Sequence, residues 1–276
     1  MKTLIITGST RGLGYGLADS FLTLGCRVAI SGRTQGGRTQ GGRTQSSVEQ
    51  ALTKLSSKHS PEQIFGHPCD VTQFEQVQAL WDAVKAHFGQ IDIWINNAGI
   101  AHPQLDFWEH PPERIKAVVE TNVVGAMYGS KVALQGMLAQ GFGSLYNMEG
   151  MGSDGRRVAG LTLYGSTKYG LRYLTDALVE ETRGTAVLAG ALRPGMVVTD
   201  LLTKQFEDRP EDWERAKRIF NILADHVDTV APWLAQKVLA NTKTGVRFAW
   251  LTRSKVMMRF LTASFRKRDL FGDMSG

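Results

Sequence analysis

Thr7-Gly8-Ser9-Thr10-Arg11-Gly12-Leu13-Gly14 is the stretch that decides the fold. It follows a short β-branched run, Leu4 to Thr7, and opens a helical pattern, so strand, glycine turn and helix stand in immediate succession. Glycines at 8, 12 and 14 permit a tight turn and close backbone approach. The free N–H groups of a helix N-terminus suit a pyrophosphate. A glycine pattern alone says little, because glycine turns are common; here strand, turn and helix agree in position.

Outward from the turn, further β-branched runs alternate with longer helical patterns: Val28 to Ser31, Ile64 to Cys69, Ile91 to Ile95, Ser144 to Met148, Ala186 to Leu192 and Val246 to Leu251. With the first run these make seven strand candidates, which predicts an α/β architecture, a doubly wound parallel seven-stranded sheet of the Rossmann fold. The 276 residues suit one domain over 1–276. Two segments interrupt the alternation. Residues 33–46 hold a tandem copy of Gly-Gly-Arg-Thr-Gln and are expected to form a flexible polar loop. Residues 196–226 combine Met196, Leu201, Phe206, Trp213 and Phe220 with many charges and read either as a substrate lid or as amphipathic helices packing on the domain.

Hydrophobic residues at 42% and charged residues at 21% describe an ordinary globular chain. The net charge of +6 is modest and is read as attraction for an anionic cofactor, with no nucleic-acid partner. Cys26 and Cys69 sit at strand ends as small buried side chains, which fits a reducing compartment, and the six histidines show no metal-ligand spacing and receive no role. Met1 to Thr7 run straight into the glycine turn, so no signal or transit peptide is expected, and no apolar stretch matches a membrane span. A cytoplasmic location follows as the expectation. In the tail from Arg253 to Arg268, Met257, Phe260, Leu261 and Phe265 fall at helical spacing among Lys255, Arg259, Arg266, Lys267 and Arg268. That pattern reads as a packing helix or as a basic amphipathic helix with peripheral membrane contact.

At the end of the second strand an acid would bind a ribose 2′-hydroxyl and repel a 2′-phosphate. The chain has Ser31-Gly32-Arg33 there, and Arg11 with Arg33 could pair with a phosphate, which favours NADP(H). Arg38 and Arg43 in the repeats are rivals for the part of Arg33.

Further motifs fall in order: Asp70-Val71, Asn96-Asn97-Ala98-Gly99, Asn122, Tyr164-Gly165-Ser166-Thr167-Lys168, and Arg193-Pro194-Gly195 through Thr199. On a helix, residues four apart share a face, so the Lys168 ammonium should lie near the Tyr164 phenol and favour its ionised form. Tyr164 could then give its proton to a carbonyl oxygen as hydride reaches the carbon. Over nearly the whole chain this set resembles the short-chain dehydrogenase/reductase family. The resemblance implies that Lys168 also binds the nicotinamide ribose and that Asn122 helps hold a water of a proton relay. By the same resemblance Asp70 and Val71 contact the adenine, and Asn97, Ala98 and Gly99 line the cofactor beside Gly8, Ser9, Thr10, Arg11, Gly12, Leu13 and Gly14. Pro194, Gly195, Val197 and Thr199 would embrace the nicotinamide amide, and the assembly would be a homo-oligomer, a dimer or tetramer.

One departure stands out. The family normally places a serine a few residues after an asparagine ending the fifth strand, whereas this chain reads Asn147-Met148-Glu149-Gly150-Met151-Gly152-Ser153. Ser153 is the nearest hydroxyl and the candidate replacement; backbone N–H groups of the Gly150 to Gly152 turn and Glu149 are alternatives. The same run, with Leu163 to Arg172, Pro194 to Leu202 and Phe220-Asn221-Ile222-Leu223, is similar to the chlorophyll b reductases. That similarity implies NADPH-dependent reduction of the C7 formyl group of chlorophyll(ide) b to hydroxymethyl, a step of chlorophyll catabolism, with a hydrophobic macrocycle as substrate. The competing readings are a carbonyl reductase or alcohol dehydrogenase for another hydrophobic substrate, and a non-catalytic NADP-binding sensor.

Overall fold

The first strand, β1 (Thr3–Ile6), is buried throughout and alternates in face: Leu4 and Ile6 enter one apolar cluster and Ile5 the opposite one. A strand covered on both faces is what a continuous β-branched run predicts. The computed structural model describes residues 1–33, 37–38, 44–206, 210–265 and 268–272. In chain order the main elements are β1, α1 (Gly12–Thr23), β2 (Arg27–Gly32), α2 (Ser47–Ser56), β3 (Ile64–Pro68), α3 (Phe74–Phe88), β4 (Ile93–Asn96), α4 (Pro112–Val119), α5 (Gly125–Gln140), β5 (Gly143–Met148), α6 (Thr162–Glu181), β6 (Val187–Arg193), α7 (Asp200–Thr203), α8 (Pro210–Leu223), α9 (Val227–Leu239), β7 (Val246–Ala249) and α10 (Arg253–Thr262).

The seven strands form one parallel sheet in the order β7-β6-β5-β4-β1-β2-β3, so the seven-stranded doubly wound sheet expected from the sequence is present. β1 pairs with β2 on one side, Leu4 opposite Val28, and with β4 on the other, Leu4 opposite Ile93. The strand order reverses there, which opens a crevice at the carboxyl ends of β1 and β4. α1 and α9 cover one face through Leu17, Phe21, Val230 and Leu234, while α3 and α5 cover the other through Leu80, Trp81, Val132 and Met137. Cys26 and Cys69 are free and buried. Among the described residues no helix is long and apolar enough to cross a membrane.

Most of the predicted repeat loop, Arg43 included, lies outside the described residues; Gly37–Arg38 and Thr44–Gln45 pair as a short antiparallel ladder. In the 196–226 segment, of which 207–209 lie outside, Met196–Val197 pairs in parallel with Ala224–Asp225, and Phe206, Phe220 and Ala224 build a small apolar cluster with Trp213, Leu270 and Phe271. One buried carboxylate ties this segment to the tail: Asp225 accepts from Trp250 Nε1 at 2.6 Å, from Arg259 at 2.7 Å and from Arg268 at 2.7 Å. Lys255 stands 3.2 Å over the Trp250 ring. Three of the cations that the helical pattern set around the apolar side chains are therefore turned inward. Met257, Leu261 and Phe265 project to the surface, with Phe265 89% exposed; Arg266 and Lys267 lie outside the described residues.

Candidate active site

The glycine turn closes over the end of β1 because no side chain would fit. Gly8 has φ +62° and Gly12 φ +57°, a region costly for other residues. A Cβ on Gly8 would stand 2.7 Å from Ala98 Cα, and one on Gly14 2.4 Å from Asn97 Nδ2. Thr7 Oγ1 accepts from the amides of Asn97 at 3.0 Å and Ala98 at 3.1 Å, and Asn97 Nδ2 donates back to the carbonyls of Thr7 and Gly8. The Asn97 side chain is thus committed to the turn. Ser9 likewise faces inward, fully buried, donating to Ile6 O and accepting from Ser31 N–H. Arg11, at the start of α1, offers no side-chain cap to that helix, whose first N–H groups stay available. Its guanidinium is mostly exposed, 3.5 Å from Asp200. Thr10 packs on Gly32, Leu13 packs on the core, and Arg33 is exposed at the end of β2. The Asp70 carboxylate accepts from Thr72, and Val71 packs beneath Gly125. From the far side, Gly195 takes φ +74° against Leu251, Val197 is buried, and Thr199 comes within 3.6 Å of where a Gly12 Cβ would be.

Tyr164 and Lys168 share the inner face of α6. Lys168 is buried, its Nζ donates to Met148 O at 2.9 Å and lies 5.6 Å from the Tyr164 ring centroid. Asn122 sits in a single π-helical turn, Glu120–Val124, the kind of irregularity that re-aims one side chain. It accepts from Ile100 N–H at 2.8 Å and donates to Ile100 O at 3.0 Å and Thr167 Oγ1 at 3.2 Å. A Cβ on Gly99 would lie 3.3 Å from Asn122 Oδ1 and 3.7 Å from Lys168 Nζ, so the β4 loop, the π turn and α6 meet at one point. Burial lowers the Lys168 pKa to about 8, with Glu149 pulling the other way, and burial pushes the Tyr164 phenol up to about 12. The expected depression of the phenol by Lys168 is not found among the protein's own groups, where desolvation sets the direction.

Gly150 faces the phenol directly. A Cβ there would be 2.6 Å from the Tyr164 hydroxyl and 3.4 Å from Lys168 Cε, so the hydroxyl occupies space that a serine side chain would need. Ser153 is fully buried, its Oγ has no hydrogen-bond partner, and its carbonyl accepts from Arg172 at 3.3 Å; no hydrogen bond joins it to Tyr164 among the described residues. Glu149 is also withdrawn from the crevice: it is 1% exposed, accepts from Arg247 Nε at 2.8 Å and lies 3.5 Å from Arg193 Nε. Arg247 reaches on to Asp176 at 2.8 Å and Arg193 to Asp154 at 3.1 Å. Sequence reasoning missed this network and also His102, whose Nε2 receives the Tyr164 backbone N–H at 3.0 Å. The first has no local signal, because its members come from four separate segments; the second could have been suspected only from a polar residue following the Asn96-Asn97-Ala98-Gly99 loop.

Residues 2–210 match the family described as short chain dehydrogenase. A protein of Oryza sativa subsp. japonica named as a probable chlorophyll(ide) b reductase is 33% identical over 99% of this chain and 54% of its own length. One of Arabidopsis thaliana, named as a chlorophyll(ide) b reductase, is 34% identical over 94% of this chain and 70% of its own. The chain thus spans about half the length of the first of these relatives. A solved structure described as ElxO with NADP bound superposes with a TM-score of 0.74 at 25% identity, covering 90% of this chain and 96% of that one.

Proposed function

The chain belongs to the short-chain dehydrogenase family, and on that premise we propose that it is an NADPH-dependent reductase of a carbonyl group, acting on the C7 formyl of a chlorophyll(ide) b-type macrocycle. The observation that carries the reaction class is the Tyr164 hydroxyl standing over Gly150 beside Lys168 and Asn122, at the mouth of the crevice that the glycine turn floors. The substrate rests on the relatives named above and on the apolar segment 196–226, which we assign as the cover of one continuous domain.

The residues present fit NADP(H). Gly8 and Gly14 leave a cradle that a Cβ would close, and the open N-terminus of α1 faces it. Gly12 and Gly14 would let the pyrophosphate approach the backbone, Gly99 would lie under the ribose, and Arg11 with Arg33 would take the 2′-phosphate, since no acid follows β2. When bound, the cofactor supplies the hydride. Tyr164 donates its proton to the carbonyl oxygen, and Lys168 holds positive charge beside it, favouring the phenolate that is left. Asn122, fixed at both ends to Ile100, keeps the loop after β4 against α6. Ser153 would have to rotate out of its buried seat to touch the substrate, so the oxyanion contact beyond Tyr164 falls to the Gly150–Gly152 backbone. The exposed Met257, Leu261 and Phe265 support a peripheral membrane contact for a pigment reductase.

A sensor that binds NADP without turnover is the reading favoured by Gly150. Purified protein with NADPH, chlorophyllide b and a panel of hydrophobic aldehydes and ketones separates the cases. We expect conversion of the formyl pigment and a fall in kcat of about 10²- to 10⁴-fold in Tyr164→Phe. Turnover of another carbonyl alone would withdraw the pigment assignment. No turnover, or turnover indifferent to Tyr164→Phe, would withdraw the mechanism.

A further inference from the structure

The helix that presents Tyr164 begins without a cap of its own. α6 starts at Thr162, and Leu161 before it has no side-chain acceptor to offer the first-turn N–H groups. The Tyr164 N–H instead donates to His102 Nε2 at 3.0 Å, reaching a residue 62 positions earlier in the chain. The other ring nitrogen, Nδ1, lies 2.7 Å from the Pro103 carbonyl oxygen. A carbonyl can only accept, so the proton belongs on Nδ1 and the lone pair on Nε2 faces the helix. His102 is 2% exposed and both of its nitrogens are in use.

We propose that His102 is the remote cap and positioning residue of the catalytic helix, and that its neutral imidazole ties the placement of the Tyr164 hydroxyl to pH. The inference rests on the reading of Tyr164 as the proton donor. A second proton on His102 would land on Nε2, expel the Tyr164 N–H and release the first turn of α6. That turn sets the hydroxyl against Gly150, where there is no room for even a Cβ between them. Misplacement of a reacting group by about 1 Å can cost of order 100-fold in rate.

The surroundings favour the neutral form. His110 packs edge-on at 4.4 Å, its own Nδ1 buried and without a partner, and Arg114 of α4 adds positive charge. Burial lowers the His102 pKa below the ordinary histidine value, the Pro103 carbonyl opposes this, and His110 and Arg114 add to it. For a base whose folded pKa is depressed, the stabilisation is complete above the unfolded value and is lost as pH falls through the folded one. The cap should therefore hold at neutral pH and fail in acid, at a pH below the ordinary histidine range.

Two variants test this. Gln at 102 extends as far from Cβ as the imidazole Nε2, can accept the same hydrogen bond and does not titrate; Ala removes the acceptor. The readouts are amide hydrogen exchange at Tyr164, corrected for intrinsic rate, and kcat and KM for NADPH-driven carbonyl reduction, from about pH 5 to about pH 8. We expect wild-type protection at neutral pH that falls in acid, protection in His102→Ala roughly fivefold below wild type at neutral pH, the worth of one cap, and converging with wild type in acid, and protection independent of pH in His102→Gln. In parallel, kcat should fall in His102→Ala with KM for NADPH little changed, and His102→Gln should recover most of that loss while lacking the acid limb. Equal Tyr164 protection in wild type and His102→Ala at neutral pH would overturn the cap. Protection as expected with superimposable acid limbs in wild type and His102→Gln would overturn the link to catalysis. Failure to reduce any carbonyl defeats the proposed function instead, and the exchange experiment still decides the cap.

Discussion

The floor of the crevice and the segment proposed as its cover are held by different means. The floor is close packing around glycine: the Gly8 backbone against that of Ala98 and Gly14 against the Asn97 side-chain amide, with the Thr7 hydroxyl accepting from the Asn97 and Ala98 amides. The cover, besides its own small apolar cluster, is tied to the tail by one carboxylate, Asp225, which gathers Trp250, Arg259 and Arg268. Close packing of glycines tolerates no added atom, whereas an ionic knot can be loosened by one changed group without touching the fold beneath it. The floor should be brittle and the cover adjustable.

The contrast breaks first at Gly14. A Cβ there meets Asn97 Nδ2 at 2.4 Å and the Gly8 carbonyl at 2.5 Å, neither a flexible chain end. Overpacking of this kind costs about 1–3 kcal/mol, and here the strain falls on the atoms that would surround the pyrophosphate. Gly14→Ala should weaken NADPH binding by roughly 5- to 150-fold in calorimetric titration, the factor to which about 1–3 kcal/mol corresponds. Unchanged affinity would mean that the turn yields as easily as the cover.

Asp225→Asn tests the cover. Burial raises the Asp225 carboxyl, but Trp250, Arg259 and Arg268 more than reverse this, so its pKa lies below the ordinary carboxylate range. With a depressed folded pKa, the knot is fully formed above the unfolded carboxylate value and lost only as pH falls through the folded one. It therefore stays closed until pH falls below the ordinary carboxylate range. Removing one partner of a buried pair costs about 3–5 kcal/mol. Here the arginine side chains are 18% and 32% exposed, which reduces the loss to about 2 kcal/mol and the Tm by roughly 5 °C. KM for the carbonyl substrate should rise in Asp225→Asn while NADPH affinity holds. A parallel loss of NADPH affinity would show that floor and cover are one cooperative unit.

The same contrast explains what could be read from the chain. Buried parallel strands appear as short apolar runs, and all seven were legible, the half-buried edge strand β7 included, with only their ends displaced: β4 starts at Ile93, just after Asp92, whose carboxylate accepts from Thr3 N–H. The glycine turn was legible because its residues are neighbours in sequence. Ser9 and Asn97 were legible as candidates but not in orientation, since their side chains bond the ends of other strands, Ser31 for Ser9 and Thr7 for Asn97. The Asp225 knot joins residues 25, 34 and 43 positions away, and no local pattern marks such a meeting. The tail shows the cost of reading a helix alone: its cations look solvated by periodicity, yet Arg259 and Arg268 are spent on Asp225.

Glu149 lies where the two regions join and gives the smallest and sharpest effect. It is bonded to Arg247 of β7 and close to Arg193, which leads into the cover, while its charge acts on Lys168 at the floor. Burial lowers the Lys168 pKa to about 8, and Glu149 limits the fall. Removing that charge in Glu149→Gln leaves desolvation less opposed, and the freed positive charge of the arginines acts in the same direction, so the pKa must drop further. Each arginine keeps a second carboxylate, Asp176 for Arg247 and Asp154 for Arg193, so the change should be survived by the fold. If protonated Lys168 supports transfer from Tyr164, activity is retained below the Lys168 pKa and lost above it. The wild-type rate should then decline as pH rises through about 8, and the Glu149→Gln profile should shift to lower pH by a fraction of a unit to about one unit. A basic limb that stays in place in the variant would mean that the wall between floor and cover only holds the turn in shape and does not set the charge at the reacting centre.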